Sequence, residues 1–234
     1  MTLSIESDGT IIPDTVKVVS IVTTHAMNQI PHSIITILDG DMPNGCFPVS
    51  DQGNFTPGTK VVIRAGYDAT TETIFNGVVI KHTIKIDGEN NARLIIDCRN
   101  KALAMTVARK NVHYINQTDQ QIIATLVDNT PGLSATVGST GIEHKELVQY
   151  YTTDWDYMMA RGDANGFVVT VDAGIVSVKP PLATGSPVLT LRYGIDLIEF
   201  EATLDAQSQL DSVTATSWDS AQMATIQTRH GRRR

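Results

Sequence analysis

Chemistry needs polar side chains that converge, and few residues of this 234-residue sequence are spaced to do so. The six histidines, His25, His32, His82, His113, His144 and His230, never occur as HxH or HxxxH. They lack the spacing of a metal site and read as structural or solvent-exposed. The stretch DGDMPNG at 39–45 offers oxygens from Asp39, Asp41 and Asn44, as a calcium loop would. An EF-hand loop closes on an acidic ligand, and the equivalent position counted from Asp39 is Ser50, so an Asx-turn is the better reading. Asp154 and Asp156 could be drawn as an acid/base pair, but at i and i+2 of a helix they point apart. Cys46 and Cys98 stand in no CxxC or metal pair; they read as a loop thiol and a buried strand thiol, a disulfide between them being the alternative. No GxSxG elbow, GxxxxGKS/T loop or HExxH motif is present. The expectation is a protein that binds or assembles, without catalytic residues, cofactor or metal.

The stretch with the clearest local logic is 143–168, EHKELVQYYTTDWDYMMARGDANGFV. It reads as a strand, then a helix with Thr153 as N-cap and Asp154 and Asp156 near the positive end of its dipole. Trp155, Met158, Met159 and Gly162 share one helical face, which marks Trp155 as core or interface rather than a ligand platform. Asn165-Gly166 stops the helix, with Gly166 suited to the left-handed position after the last turn. FVVTVDAGIVSV then reads as a hairpin turning at Asp-Ala-Gly. Trp155, Asp154, Tyr150 and Tyr151 are the positions expected to define this α/β core or its packing on the β domain before it.

Residues 1–100 read as β throughout, about six short strands in the pattern of a small closed or partly closed barrel. Gly66 and Gly77 are expected at its bulges or corners. From 101 the period changes. KALAMTVARK is helix-permissive, and Thr118-x-x-Gln121 is a capping box before Ile122, Ile123, Leu126 and Val127. Residues 101–182 therefore form an α/β insert ending near Pro180-Pro181. Strands return over 183–220, and the polar, basic 221–234 reads as a disordered tail. The class is α+β, mainly β.

Lysine and arginine total 18 against 25 acidic residues, a net charge of −7, which argues against a nucleic-acid binder. Arg229, Arg232, Arg233 and Arg234 could touch phosphate, but so few contacts would be weak and salt-sensitive. No apolar run approaches the roughly 20 residues of a membrane helix. The opening MTLSIESDGTIIPD has no basic region followed by an apolar core, so no membrane insertion and no secretory signal are expected. That places synthesis and folding in the cytoplasm, and any export would use a route that reads no N-terminal signal.

Leu147, Val148, Gln149 and Tyr150, then Thr153, Asp154, Trp155 and Asp156, then Arg161, Asn165 and Gly166, form a pattern that resembles the valine-glycine repeat protein G (VgrG) and phage tail hub family. PHSIITILDGD, FTPGTKVVIRAGY, TIFNGVVI, ARLIIDCRNKALAMTVARKN, TDQQIIATLV and GIDLIEFEATLD occur in the same order, so the resemblance spans roughly residues 16–218 and is nearer the Rhs-element Vgr group. It implies two similar barrels with an α/β segment between them, the first whole and the second only begun at about 187. The oligonucleotide/oligosaccharide-binding domain and β-helical needle that usually follow have no counterpart in this sequence. The resemblance further implies a homotrimer whose barrels form a pseudo-sixfold ring. Its partners would be a Hcp-like inner-tube protein, spike or baseplate proteins and effector cargo. The function expected is a structural hub, the spike base of a type VI secretion system or related contractile particle. The alternatives are a monomeric β-barrel module for a small ligand or glycan, for which 6% aromatic residues is little, and a hydrolase of unrecognised motif.

Overall fold

Alternation of β-branched residues governs the N-terminal half of the computed structural model, which describes residues 2–67, 70–88, 91–182, 186–203, 205 and 211–231. The strands are β1 (Thr2–Ser7), β2 (Thr10–Ile11), β3 (Val18–Thr24), β4 (His32–Leu38), β5 (Lys60–Tyr67), β6 (Thr70–Ile86) and β7 (Ala92–Arg99), with a short helix α1 (Pro48–Asp51) before β5. They form one seven-stranded sheet in the order β2-β1-β5-β6-β7-β4-β3. In β4, Ser33, Ile35 and Ile37 turn inward while Ile34 and Leu38 face out. Strands as far apart in that order as β1 (Ile5), β6 (Phe75) and β4 (Ile35) fill the same core, so the sheet curls around it. Among the described residues β2 and β3 remain edges, which makes this the partly closed form of the expected barrel. Beyond the end of β3, His25 Nε2 meets the Ile74 carbonyl of β6 at 3.0 Å.

The 17-residue β6 bends at two register shifts, where Ile74 and Ile80 are the extra residues, not at the glycines. Gly77 has a different role: a Cβ there would strike the Arg99 carbonyl and approach the Phe75 ring to 2.7 Å.

The KALAMTVARK segment is not a helix of its full length. A 3-10 turn spans Lys101–Thr106, and β8 (Arg109–Thr118) follows. β-branched Thr106 and Val107 weaken helix propagation, and alternating Val112 and Tyr114 favour a half-buried strand. Next come α2 (Asp119–Asp128), β9 (Ser134–Val137), β10 (Glu143–Thr153), α3 (Asp154–Ala164), β11 (Val168–Asp172) and β12 (Ile175–Lys179). β8 and β10 pair as an antiparallel ribbon, and β9 joins the β11–β12 hairpin in parallel. Tyr114, Ile122, Leu126, Trp155, Met158 and Val178 belong to the second core, which these elements share. A clip ties the β3–β4 loop to it: Asn28 N–H donates to the Val169 carbonyl at 2.7 Å, and Asn28 Oδ1 accepts from Val169 N–H at 2.8 Å.

Residues 1–183 make one compact unit and 184–234 another. In the second, β13 (Ser212–Asp219) and β14 (Ala224–Gly231) form an antiparallel hairpin. The strand expected near 187–203 is absent among the described residues there, and the tail read as disordered instead supplies β14, where Thr225, Ile226 and Thr228 have the β-branched character a strand favours. Arg232, Arg233 and Arg234 lie outside the described residues. Among those described, no helix is long and apolar enough to cross a membrane.

Candidate functional site

Helix α3 is fixed at both ends by its own sequence. Thr153 Oγ1 accepts from Asp156 N–H at 3.1 Å and donates to Asp156 Oδ2 at 2.7 Å, so Asp156 closes the cap. At the other end Phe167 N–H reaches the Gly162 carbonyl and Gly166 N–H the Asp163 carbonyl, both at 2.9 Å. These are the paired bonds of a Schellman stop, with Gly166 at φ +66°. Trp155 is 8% exposed and packs with Met158 in the second core.

Asp154 turns away from Asp156 into a buried network. Its Oδ2 accepts from Lys110 Nζ at 2.5 Å and its Oδ1 from Gln149 Nε2 at 3.0 Å. Gln149 Nε2 also donates to the Thr152 carbonyl, and Gln149 Oε1 accepts the Tyr114 hydroxyl at 2.9 Å. Burial, then the Asp154 charge and Tyr157, push the Tyr114 phenol up to about 12, so it remains a donor. Gln149 is wholly buried and its polar atoms are partnered, as a buried amide requires.

A second cluster locks α2 to α3. Asp119, at the first position of α2, accepts from Arg161 Nε at 2.6 Å and Arg161 Nη2 at 2.9 Å. It also meets Asn165 Nδ2 at 2.8 Å and His144 Nε2 at 3.2 Å. Burial alone would raise the Asp119 carboxyl, but hydrogen bonds from Arg161, Asn165 and His144 and the Arg161 charge hold it down at about 2. Arg161 is raised in turn, first by its bond to Asp119. Motif reading passes over this cluster as a unit; the signal is Arg161 in the last turn of α3 and Asn165 at its C-cap, i and i+4, facing the acid that follows the Thr118 cap.

Tyr150 and Tyr151 do not belong to the core: they are 80% and 62% exposed. Simple alternation along β10 would turn Tyr151 inward after Leu147 and Gln149. Between Gln149 and Thr152, however, β10 gains one residue on β8, so Tyr150 and Tyr151 together oppose Asn111. Tyr151 absorbs the bulge at φ +45°, and its N–H donates to Asn111 Oδ1 at 2.8 Å. The Arg109 guanidinium lies over the Tyr151 ring, 5.0 Å from its centroid. Val148 and Ile115, 42% and 61% exposed, continue the outer face of the ribbon, with His113 and Glu146 paired across it at 3.2 Å.

The remaining sequence candidates are satisfied locally. Asp39 accepts N–H bonds from Gly40 and from Val49 and Ser50 of α1, and Asp41 accepts from Asn44, so the oxygens of this loop are spent on its own turn and on the start of α1. His82 bridges Ser50 Oγ and the Phe55 carbonyl. Cys46 and Cys98 are both free; burial, then Asp97, push the Cys98 thiol up to about 12, which makes it unreactive. What the insert presents to solvent is a surface: two aromatic rings and a guanidinium held on a stiff bulge.

The family model described as the Alg8 N-terminal domain matches residues 1–233. No curated protein matches the sequence. Among solved structures, the 43 kDa tail protein of prophage MuSo2 from Shewanella oneidensis is 14% identical with a TM-score of 0.67, over 98% of this chain and 68% of that one. The tail protein from Neisseria meningitidis MC58 is 9% identical with a TM-score of 0.68, over 98% and 67%. The E. coli c3393 protein is described as a component of the type VI secretion system with structural similarity to the T4 bacteriophage tail proteins gp27 and gp5. It is 15% identical with a TM-score of 0.60, over 94% of this chain and 57% of that one. The fold is that of these tail proteins, in keeping with the resemblance to the VgrG and tail hub family, and the chain spans 57% to 68% of their lengths.

Proposed function

We propose that this chain, which belongs to the Alg8 N-terminal domain family, is a non-enzymatic hub subunit of a contractile injection apparatus, joining inner tube to spike. The observation that carries this reading is a fold shared along 98% of the chain with a phage tail protein. The polar clusters of the insert agree with it, since Asp119 is consumed in holding α2 to α3 and Asp154 in holding α3 to β8. In this reading three copies form a ring that seats the inner tube on one side and spike or baseplate proteins on the other, with effector cargo carried by the assembly. The apparatus is a type VI secretion system or related phage-tail-like particle, assembled in the cytoplasm and delivered outside without an N-terminal signal. The 184–234 unit would be the start of a second barrel.

Light scattering of the purified chain over a concentration series tests it. A trimer is the expected mass. A monomer at every concentration would move the weight to a ligand- or glycan-binding module.

A further inference from the structure

Tyr151 is a bulky residue in the left-handed region, a conformation that persists only where surrounding contacts impose it. The Asn111 bond and the Gln149–Asp154–Lys110 network impose it here, with the result that two aromatic rings stand in solvent. Tyrosine and arginine together are the residue types that anchor protein interfaces. Arg109 has no carboxylate partner among the described residues, on a chain whose net charge is −7.

Along the C-terminal half of α3 lies an open cleft of about 270 Å³. Met159, Ala160 and Phe167 line it beside the polar Asn28 and Asp163, and the exposed Asp163 has no cationic partner among the described residues. A phenol, an apolar ring with a polar tip, suits so mixed a lining. The cleft begins at Met159, about 8 Å along α3 from the end that carries the bulge, and neither tyrosine of the bulge lines it within one copy.

We infer that they meet between copies: the Tyr150 ring of one copy enters the Met159–Phe167 cleft of the next, and Arg109 pairs with Asp163. The contact is head-to-tail, the kind that generates a ring when its rotation closes. It rests on the hub reading above and adds to it the surfaces that touch.

Charge reversal in the full chain tests it. In light scattering, R109E and D163R should each weaken association by at least about tenfold, because like charges then face one another. R109E/D163R should recover most of it. Circular-dichroism melts of each variant check folding, and the two substitutions lie at separate surface sites. A second arm places Val148→Cys, beside Tyr150 on the outer face, and Ala164→Cys, beside Asp163, in a Cys46→Ser background, and a short bismaleimide should link 148 of one copy to 164 of another. An oligomer unchanged in both R109E and D163R overturns this contact and leaves the hub reading standing. A monomeric wild type that still yields the 148–164 link supports the contact as a weak one. A monomeric wild type without that link overturns the contact and moves the weight to the ligand-module reading.

Discussion

The carboxylate of Asp119 takes four hydrogen bonds from three side chains, one on β10, one on α3 and one at the C-cap of α3. Its pKa of about 2, against an ordinary 3.8, is a depressed one. The stabilisation is therefore complete above about pH 4 and is lost as pH falls through 2. The size is about 2 kcal/mol, and the side chain is only 5% exposed, so solvent screens little of it. Asp119→Asn should flatten the acid limb of a urea-denaturation series between pH 4 and 2, and should cost about 2–3 kcal/mol at pH 7 because Arg161, itself 19% exposed, is left without its partner. An acid limb identical to that of the wild type would remove Asp119 from this role. Trp155 and Met158 are legible because helical spacing alone puts them on one face. Asp119 is not, because its partners lie 25, 42 and 46 residues away and nothing local marks them.

At the scale of the element, β10 carries both an amphipathic pattern and a break in it. A tyrosine at φ +45° costs roughly 1–2 kcal/mol relative to a residue at home there. Asparagine tolerates the left-handed region, so Tyr151→Asn should hold or raise stability by up to about 1 kcal/mol although a large ring is lost. A fall of more than about 1 kcal/mol in chemical denaturation would mean that Tyr151 is there for packing. Caps, periodicity and the helix stop of α3 are visible in sequence because each is decided within a few residues. The bulge is not, because it depends on Asn111 reaching across from β8, a strand whose flanking residues read as helix. For the same reason the two tyrosines look like core from the pattern of β10 alone.

At the scale of the molecule, protection should follow topology. The amides of β4 and β7 lie inside the curled sheet with neighbours on both sides, and they should exchange slowest in hydrogen–deuterium exchange. Those of β13 and β14 should exchange fastest among the strands, since a two-stranded ribbon is marginal by itself. Val188 and Ile198 are fully exposed and Trp218 is 62% exposed, so the 184–234 unit contributes little buried surface to hold that hairpin. Equal protection in β7 and β14 would contradict this ranking. Alternation gives the first sheet away at the sequence level. The second unit is opaque because its apolar residues have no cover within the described residues to impose a register.

The Asn28–Val169 clip has a consequence for synthesis. Its two residues are 141 positions apart, the whole of the first core is encoded before residue 100, and ribosomes add about 5–20 residues each second. From the point at which that barrel can fold, about 70 residues remain to be added before Val169, so the β3–β4 loop waits roughly 4–14 s for the strand that will hold it. During that interval a nascent chain carries an open loop beside the free outer edge of β3, and premature association has a strand edge to start from.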